Sequence, residues 1–146
     1  MLVAFWIVLG FNALWFGAAF RYFSLTPETA AKLLVPKSAR NSPLFETIAV
    51  SVRFLGGMNL ALSVFAILIL VNRQLFPEAH QNALFAFVFA VAHASQFAYN
   101  VPVALGGGRK GEALWPVLSG PMLLIFVVDG VLMLANMLVG IWLLVE

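Results

Sequence analysis

The sequence contains no cysteine and few charged side chains. Without cysteine the chain can form no disulfide, thiol nucleophile, cysteine-ligated zinc site or iron–sulfur cluster. Charged residues make up only 10% of the chain, whereas a soluble domain of this size carries about a quarter. A surface this poor in charge is solvated by lipid, so we predict an integral membrane protein.

The few charges and the missing motifs exclude several classes of protein. The net charge is only +2, and the basic residues are spread over loops without forming a stripe, so we expect no nucleic-acid partner. The sequence has no glycine-rich phosphate loop, no nucleophile elbow and no cluster of carboxylates and histidines at metal-ligand spacing. We therefore predict no catalytic residue, no metal and no cofactor, and an enzyme is the less favoured interpretation.

Apolar residues are abundant, at 63% of the chain, and they fall in four long stretches. A membrane-spanning helix needs roughly 20 predominantly apolar residues. We therefore predict that residues 1–146 form a single all-α transmembrane domain, a four-helix bundle. The first stretch lacks the positive charge that opens a signal peptide, so we expect a helix there as well. The predicted spans cover about 2–20, 47–71, 81–103 and 119–145.

Proline and glycine mark the ends of these helices. Ser42 followed by Pro43, with Glu46 in the first turn, is typical of a helix start and suits the second span. The run 106–111 predicts a flexible loop after the third span. Pro121 withdraws a backbone donor and either opens the fourth helix or kinks it; the sequence leaves both open.

The first loop is predicted to contain a short helix of its own. Thr26, Pro27 and Glu28 resemble another capped start, and Pro36 ends the segment, so the helix covers about 27–35. Its mixture of apolar and polar residues predicts an interfacial helix on the membrane surface. It either covers a site and contacts lipid headgroups or simply connects two spans, and the connector is the favoured interpretation.

Basic residues concentrate in the first and third loops, which predicts the orientation of the bundle. Positively charged loops remain in the cytoplasm, so both termini should lie outside. We expect the chain in the cytoplasmic membrane of a bacterium. The first loop contains Arg21, Lys32, Lys37 and Arg40, the third contains Arg109 and Lys110, and the opposite side has only Arg73.

The second span separates into two faces at about 100° per residue. One arc is small and polar, and the opposite arc is bulky and apolar. Because small residues let helices approach closely, we expect the first arc to face the bundle and the second to face lipid. The first arc contains Arg53, Gly56, Gly57, Asn59, Leu60 and Ser63; the second contains Phe54, Leu55, Met58, Leu62, Phe65 and Ile69.

Each of the other spans carries one polar seam, as an interior site or an interior hydrogen-bond network requires. Asp129 and Asn136, for example, are seven residues apart and therefore share a helix face. The predicted cluster either binds a ligand or is structural. It comprises Asn12, Arg53, Asn59, His93, Gln96, Asn100, Asp129 and Asn136.

Three residues of this cluster, Arg53, Asp129 and His93, lead to specific hypotheses. Arg53 and Asp129 are the only charged residues well inside the predicted spans, so we predict an ion pair between them. It either locks helix register or holds an anionic ligand at Arg53, and an unpaired Asp129 would be a candidate for proton handling.

His93 lies near the midplane, but the only other histidine, His80, is at the membrane edge, which argues against bis-histidine haem. A hydrogen bond from His93 to a neighbouring amide is favoured instead.

Two short segments resemble known families. The run 53–57 (RFLGG) opening the second span and 90–93 (AVAH) in the third resemble small four-helix proteins of the DoxX-like group. With the C-terminal Leu144-Val145-Glu146, they also resemble the ergosterol-biosynthesis scaffold family. The first resemblance implies an association with quinone-linked oxidoreductase complexes, and the second implies tethering of membrane enzymes. Gln96 and Phe97 stand where the scaffold family tends to place an acid.

We weigh three functions. The favoured one is a non-catalytic accessory or scaffold membrane protein, for example a subunit of a larger complex, because its small-residue seams suit helix association. The alternative is a binder or carrier of a small lipophilic molecule, a quinone or lipid, in a polar pocket around Arg53, His93 and Asp129. A membrane redox enzyme is the least supported. Membrane lipid is the expected partner, and other membrane proteins or a second copy of the chain are further candidates.

Overall fold

The computed structural model describes residues 2–107 and 114–145, and these are helical with no strand among them. Within that part of the chain, four helices are long and apolar enough to cross a membrane, as predicted. The helices are α1 (Leu2–Phe20), which continues as a π-helix over Arg21–Leu25, α2 (Pro27–Leu34), α3 (Pro43–Val71), α4 (Ala79–Leu105) and α5 (Gly120–Leu144). Short 3-10 turns lie at Lys37–Ala39 and Arg73–Leu75.

Helices α2 and α3 begin at the two prolines predicted as helix starts, Pro27 and Pro43. The Ser42 hydroxyl accepts a hydrogen bond from the Leu44 amide at 3.3 Å, so α3 begins at Pro43. Pro121 lies in the first turn of α5 and therefore opens that helix without kinking it. At α2 the Thr26 hydroxyl makes no capping bond and instead donates to the Tyr22 carbonyl at 2.8 Å.

The third loop is described only in part. Gly106 and Gly107 form a turn after α4, as predicted. The rest of the glycine-rich run, with Arg109 and Lys110, lies outside the described residues. Met1 and Glu146 lie outside them as well.

The long helices pack as two pairs, α1 on α3 and α4 on α5. In the second pair, two phenylalanine rings of α4 pack directly against glycines of α5. A Cβ on Gly130 would lie 2.9 Å from the Phe97 ring, and one on Gly140 would lie 2.8 Å from the Phe87 ring. Helix α1 also contacts α4 and α5 and thereby joins the pairs. Helices α3 and α4 follow one another in the chain but meet mainly through large side chains, such as the Phe65 ring.

Apolar residues form the core on both sides of a central polar layer. The larger cluster lies where the start of α1 meets the end of α5, and the smaller one lies beside α2. The larger contains Phe5, Leu9, Phe16, Ala66, Ile69, Ala83, Ala86, Phe89, Val139 and Leu143; the smaller contains Phe23, Ala30 and Val52.

The inward face of α3 differs in part from the predicted arc. Gly56, Asn59 and Ser63 are buried as expected, but Gly57 and Leu60 are exposed. Ile69, placed on the lipid face by the sequence, is only 2% exposed. The buried face is set by the residues that contact α1 and the π-helical segment. These residues recur every three or four positions, at Ala49, Val52, Gly56, Asn59, Ser63 and Ala66.

The predicted ion pair between Arg53 and Asp129 is wrong. Arg53 is exposed, whereas Asp129 is fully buried and bonded to other residues. Arg53 lies 18 residues before Val71, or roughly 27 Å along α3, which is close to the edge of a ~30 Å hydrocarbon layer. A long side chain there can extend to the interface, so Arg53 needs no buried partner.

Candidate functional site: a buried polar network and an adjoining cavity

The bundle centre contains a polar network built from α1, α4 and α5. Asn12, His93, Asp129 and Asn136 come together there, each at most 1% exposed. All four were predicted as part of the polar cluster from their helix faces. Trp15, one turn after Asn12, is a fifth member that the sequence analysis missed. A tryptophan within an apolar stretch is normally interpreted as a residue that contacts lipid. The only signal for Trp15 in the sequence is its three-residue spacing from Asn12, which places both residues on one helix face.

His93 is bonded through both ring nitrogens. Its Nδ1 lies 2.9 Å from Oδ1 of Asp129, and its Nε2 lies 3.0 Å from Oδ1 of Asn12. The Trp15 indole donates to the same Asp129 oxygen at 2.9 Å. The Phe16 ring stacks on the imidazole at a centroid distance of 4.6 Å and holds its plane. The network therefore fixes the orientation of the imidazole ring.

The two asparagines form a reciprocal amide pair. Asn12 Nδ2 donates to Asn136 Oδ1 at 2.9 Å, and Asn136 Nδ2 donates to Asn12 Oδ1 at 3.0 Å. Asn136 Nδ2 also donates to the Leu132 carbonyl at 2.8 Å. Because a backbone carbonyl can only accept, this last bond identifies which Asn136 atom is nitrogen. The facing Asn12 atom must then be oxygen.

These bonds determine how many protons the His93–Asp129 pair carries. Asn12 Oδ1 is an acceptor, so His93 Nε2 must carry a hydrogen and donate to it. His93 Nδ1 and Asp129 Oδ1 then require one shared proton, which makes the pair either a neutral imidazole with a neutral acid or an imidazolium with a carboxylate. Both arrangements have zero net charge, which suits a site with no access to water.

One oxygen of this network has unused capacity. Asp129 Oδ2 is buried and has no hydrogen-bond partner among the described residues. The side-chain polar atoms of Asn12, His93 and Asn136 are all bonded, to one another, to Asp129 Oδ1 or to the backbone. The network is thus nearly complete within the chain itself.

The remaining predicted site residues lie outside this network. Arg53 faces outward, and Asn100 Oδ1 accepts a hydrogen bond from the Trp115 indole at 2.9 Å, which ties the segment before α5 to α4. Asn59 on α3 and Gln96 on α4 instead line a cavity between their two helices. Four members of the predicted cluster therefore form the network, two line this cavity, and Arg53 and Asn100 belong to neither.

The α3–α4 cavity has a volume of about 590 Å³. It opens on the outer surface, since its wall includes Met58 and Val91, which are 67% and 66% exposed. Two further cavities, of about 370 and 250 Å³, lie towards α2 and α5. Gln96 lines all three, so the cavities meet at this side chain.

Over residues 2–107 and 114–145, no group of three or more histidines and carboxylates is placed to hold a metal ion. No protein-family model matches the chain, and no curated protein or solved structure matches it either. The arrangement of polar side chains is therefore the basis for a functional assignment.

Proposed function

We propose that this protein binds a small lipophilic molecule, a quinone or a lipid, in the cavity between α3 and α4. The observation that carries the proposal is that two amides in one cavity wall, Asn59 and Gln96, have side-chain atoms that form no hydrogen bond with the described residues. Ligand pockets are typically about 300–1,000 Å³, apolar, and equipped with a few polar groups. The cavity fits that description in size and lining.

The site differs from the pocket expected from the sequence. His93 and Asp129 are bonded to each other and do not line the cavity, and Arg53 does not line it either. The exposed wall residues Met58 and Val91 give a lateral opening, so a lipophilic molecule can enter from the surrounding hydrocarbon without crossing water.

The proposal includes a location. We place the protein in the cytoplasmic membrane of a bacterium with both termini outside. Support comes from the basic residues of the first loop, since positively charged loops are retained in the cytoplasm. The resemblance to DoxX-like proteins, some associated with quinone-linked oxidoreductase complexes, agrees with a lipophilic ligand.

An accessory or scaffold role is the second candidate. It is favoured by the closed network of Asn12, His93, Asp129 and Asn136, because side chains bonded to each other fix the helices in one arrangement. A rigid bundle suits a subunit that holds partners in place. The resemblance to the ergosterol-biosynthesis scaffold family points the same way.

Native mass spectrometry of the gently solubilised protein tests the proposed function. We expect one small lipophilic molecule bound per chain. Ala61 lines the cavity and is exposed, so Ala61→Phe should narrow the cavity and weaken retention of the ligand. Ala98 is exposed on α4 and does not line the described cavities, so Ala98→Phe is the matched control.

Two results would contradict the proposal. One is a protein that carries no ligand, and the other is a ligand equally retained by Ala61→Phe and by its control. A stoichiometric protein partner in place of a small molecule would favour the accessory role.

A further inference from the structure

The geometry points to a neutral lipophilic molecule with a hydroxyl group as the ligand of the α3–α4 cavity. This inference rests on the proposed function and narrows its ligand class. It follows from the hydrogen-bonding state of Asn59, the position of Gln96 and the absence of charge in the cavity walls.

Asn59 presents an acceptor that lacks a donor. Its Nδ2 donates to the Leu55 carbonyl at 2.7 Å, which identifies the other side-chain atom as oxygen. That Oδ1 is buried without a partner in the part of the chain that the structure describes, and the residue is 1% exposed. A buried acceptor left unpaired is costly, so a ligand that supplies an O–H donor is stabilised here.

Gln96 supplies the complementary group. Its backbone carbonyl accepts from Asn100 Nδ2 at 2.8 Å, but its side-chain amide makes no hydrogen bond within residues 2–107 and 114–145. The side chain is half-buried and stands where the three cavities meet. Its amide N–H groups can donate to a ligand oxygen bound in the same cavity as Asn59.

The cavity walls exclude a charged head group. No Lys, Arg, Asp or Glu belongs to the residues that line the three cavities in the described structure. An ionised group bound there would have no counter-charge in an apolar surrounding, which is strongly unfavourable. The polar part of the ligand must therefore be neutral.

A hydroxyl group meets both requirements because it donates one hydrogen bond and accepts others. The hydroxyl can donate to Asn59 Oδ1, and the Gln96 amide can donate to an oxygen of the same ligand. The carbonyl of an oxidised quinone can only accept, so it would leave Asn59 Oδ1 unpaired. The lateral opening beside Met58 and Val91 gives the apolar part of the molecule room to extend into the surrounding hydrocarbon.

A set of three matched ligands tests this inference on the full chain in phosphatidylcholine nanodiscs. The ligands are oleyl alcohol, its methyl ether, which cannot donate, and oleate, which is charged. We expect the alcohol to bind one-to-one, and the ether to bind about three- to tenfold more weakly, as expected for one neutral hydrogen bond. Oleate should bind more weakly than the alcohol.

Two variants locate the contacts. Asn59→Leu should lower affinity for the alcohol to that for the ether, whereas Asn72→Leu should not change it. Asn72 is a suitable control because its Nδ2 also donates to the carbonyl four residues earlier, at 2.8 Å, but it lies at the end of α3. If Asn59→Leu does not fold, Gln96→Leu gives the same test at a half-buried position. We expect Gln96→Leu to lower affinity for the alcohol and its control, Gln74→Leu on the exposed second loop, to leave that affinity unchanged.

The outcomes separate this inference from the proposed function. If alcohol and ether bind equally, or if Gln96→Leu retains full affinity for the alcohol, the hydroxyl inference is wrong while a lipophilic ligand remains. If none of the three ligands binds and the purified protein carries no small molecule, the proposed function itself fails.

Discussion

His93 is the residue on which the polar interior depends, since its ring joins Asp129 on α5 to Asn12 on α1. Buried charges are strongly unfavourable unless they are neutralised, and a pair that shares one proton meets this condition. The sequence favoured a hydrogen bond between His93 and a neighbouring amide, and the bond to Asn12 confirms it. The sequence could not show that Asp129 lies beside His93 while Arg53 does not, because this depends on helix rotation.

The proton count of the network can be measured directly. We expect ¹⁵N NMR of the protein to show His93 Nε2 carrying a hydrogen, because it faces an obligatory acceptor. His80→Gln removes the only other histidine and assigns the signals. A His93 ring with hydrogen on Nδ1 alone would contradict the assigned network.

The π-helical end of α1 is the element that depends most on a single glycine. Ser24 in this segment donates through its hydroxyl to the Arg53 carbonyl at 3.1 Å, and its backbone nitrogen would lie 2.7 Å from a Cβ on Gly56. Only a residue without a side chain allows α3 to approach this closely. The sequence predicted the inward face of Gly56 but ended the first helix at Phe20, so this contact was not expected.

Gly56 and Gly57 form a matched pair for a stability measurement. We expect Gly56→Ala to lower the free energy of unfolding by about 1–3 kcal/mol, because the backbone of the π-helical segment must move. Gly57→Ala should have little effect, since a Cβ there has nothing within 4 Å. Thermal or denaturant unfolding in detergent measures both variants, and equal effects would show that the close approach is unimportant.

The whole molecule is two helix pairs with a cleft between the consecutive helices α3 and α4. Consecutive helices usually pack side by side, so connectivity alone would close this space. The cleft exists because α3 packs on α1 and the π-helical segment, while α4 packs on α5 through ring-to-glycine contacts. This arrangement leaves Asn59 and Gln96 facing a cavity.

The absence of cysteine gives a direct test of orientation. Lys37 in the first loop and Gln74 in the second are both exposed, so single cysteines introduced there should accept a maleimide. If the first loop is cytoplasmic, a membrane-impermeant maleimide should label Gln74→Cys in intact cells and Lys37→Cys only after lysis. The reverse pattern would invert the proposed topology.

Composition and the length of the apolar stretches were sufficient to predict four helices long and apolar enough to span a membrane, because lipid solvation and bilayer thickness act on every residue of a span alike. Local signals also located the start of α3 and the helix over 27–34. Tertiary structure decided how far each helix is rotated and which helices touch. As a result, Arg53 is exposed and the Trp15 indole donates a hydrogen bond to Asp129. Asn59 and Gln96 lie in the wall of one cavity for the same reason. Those outcomes depend on side chains from different helices fitting together, and no single segment of the sequence contains that information.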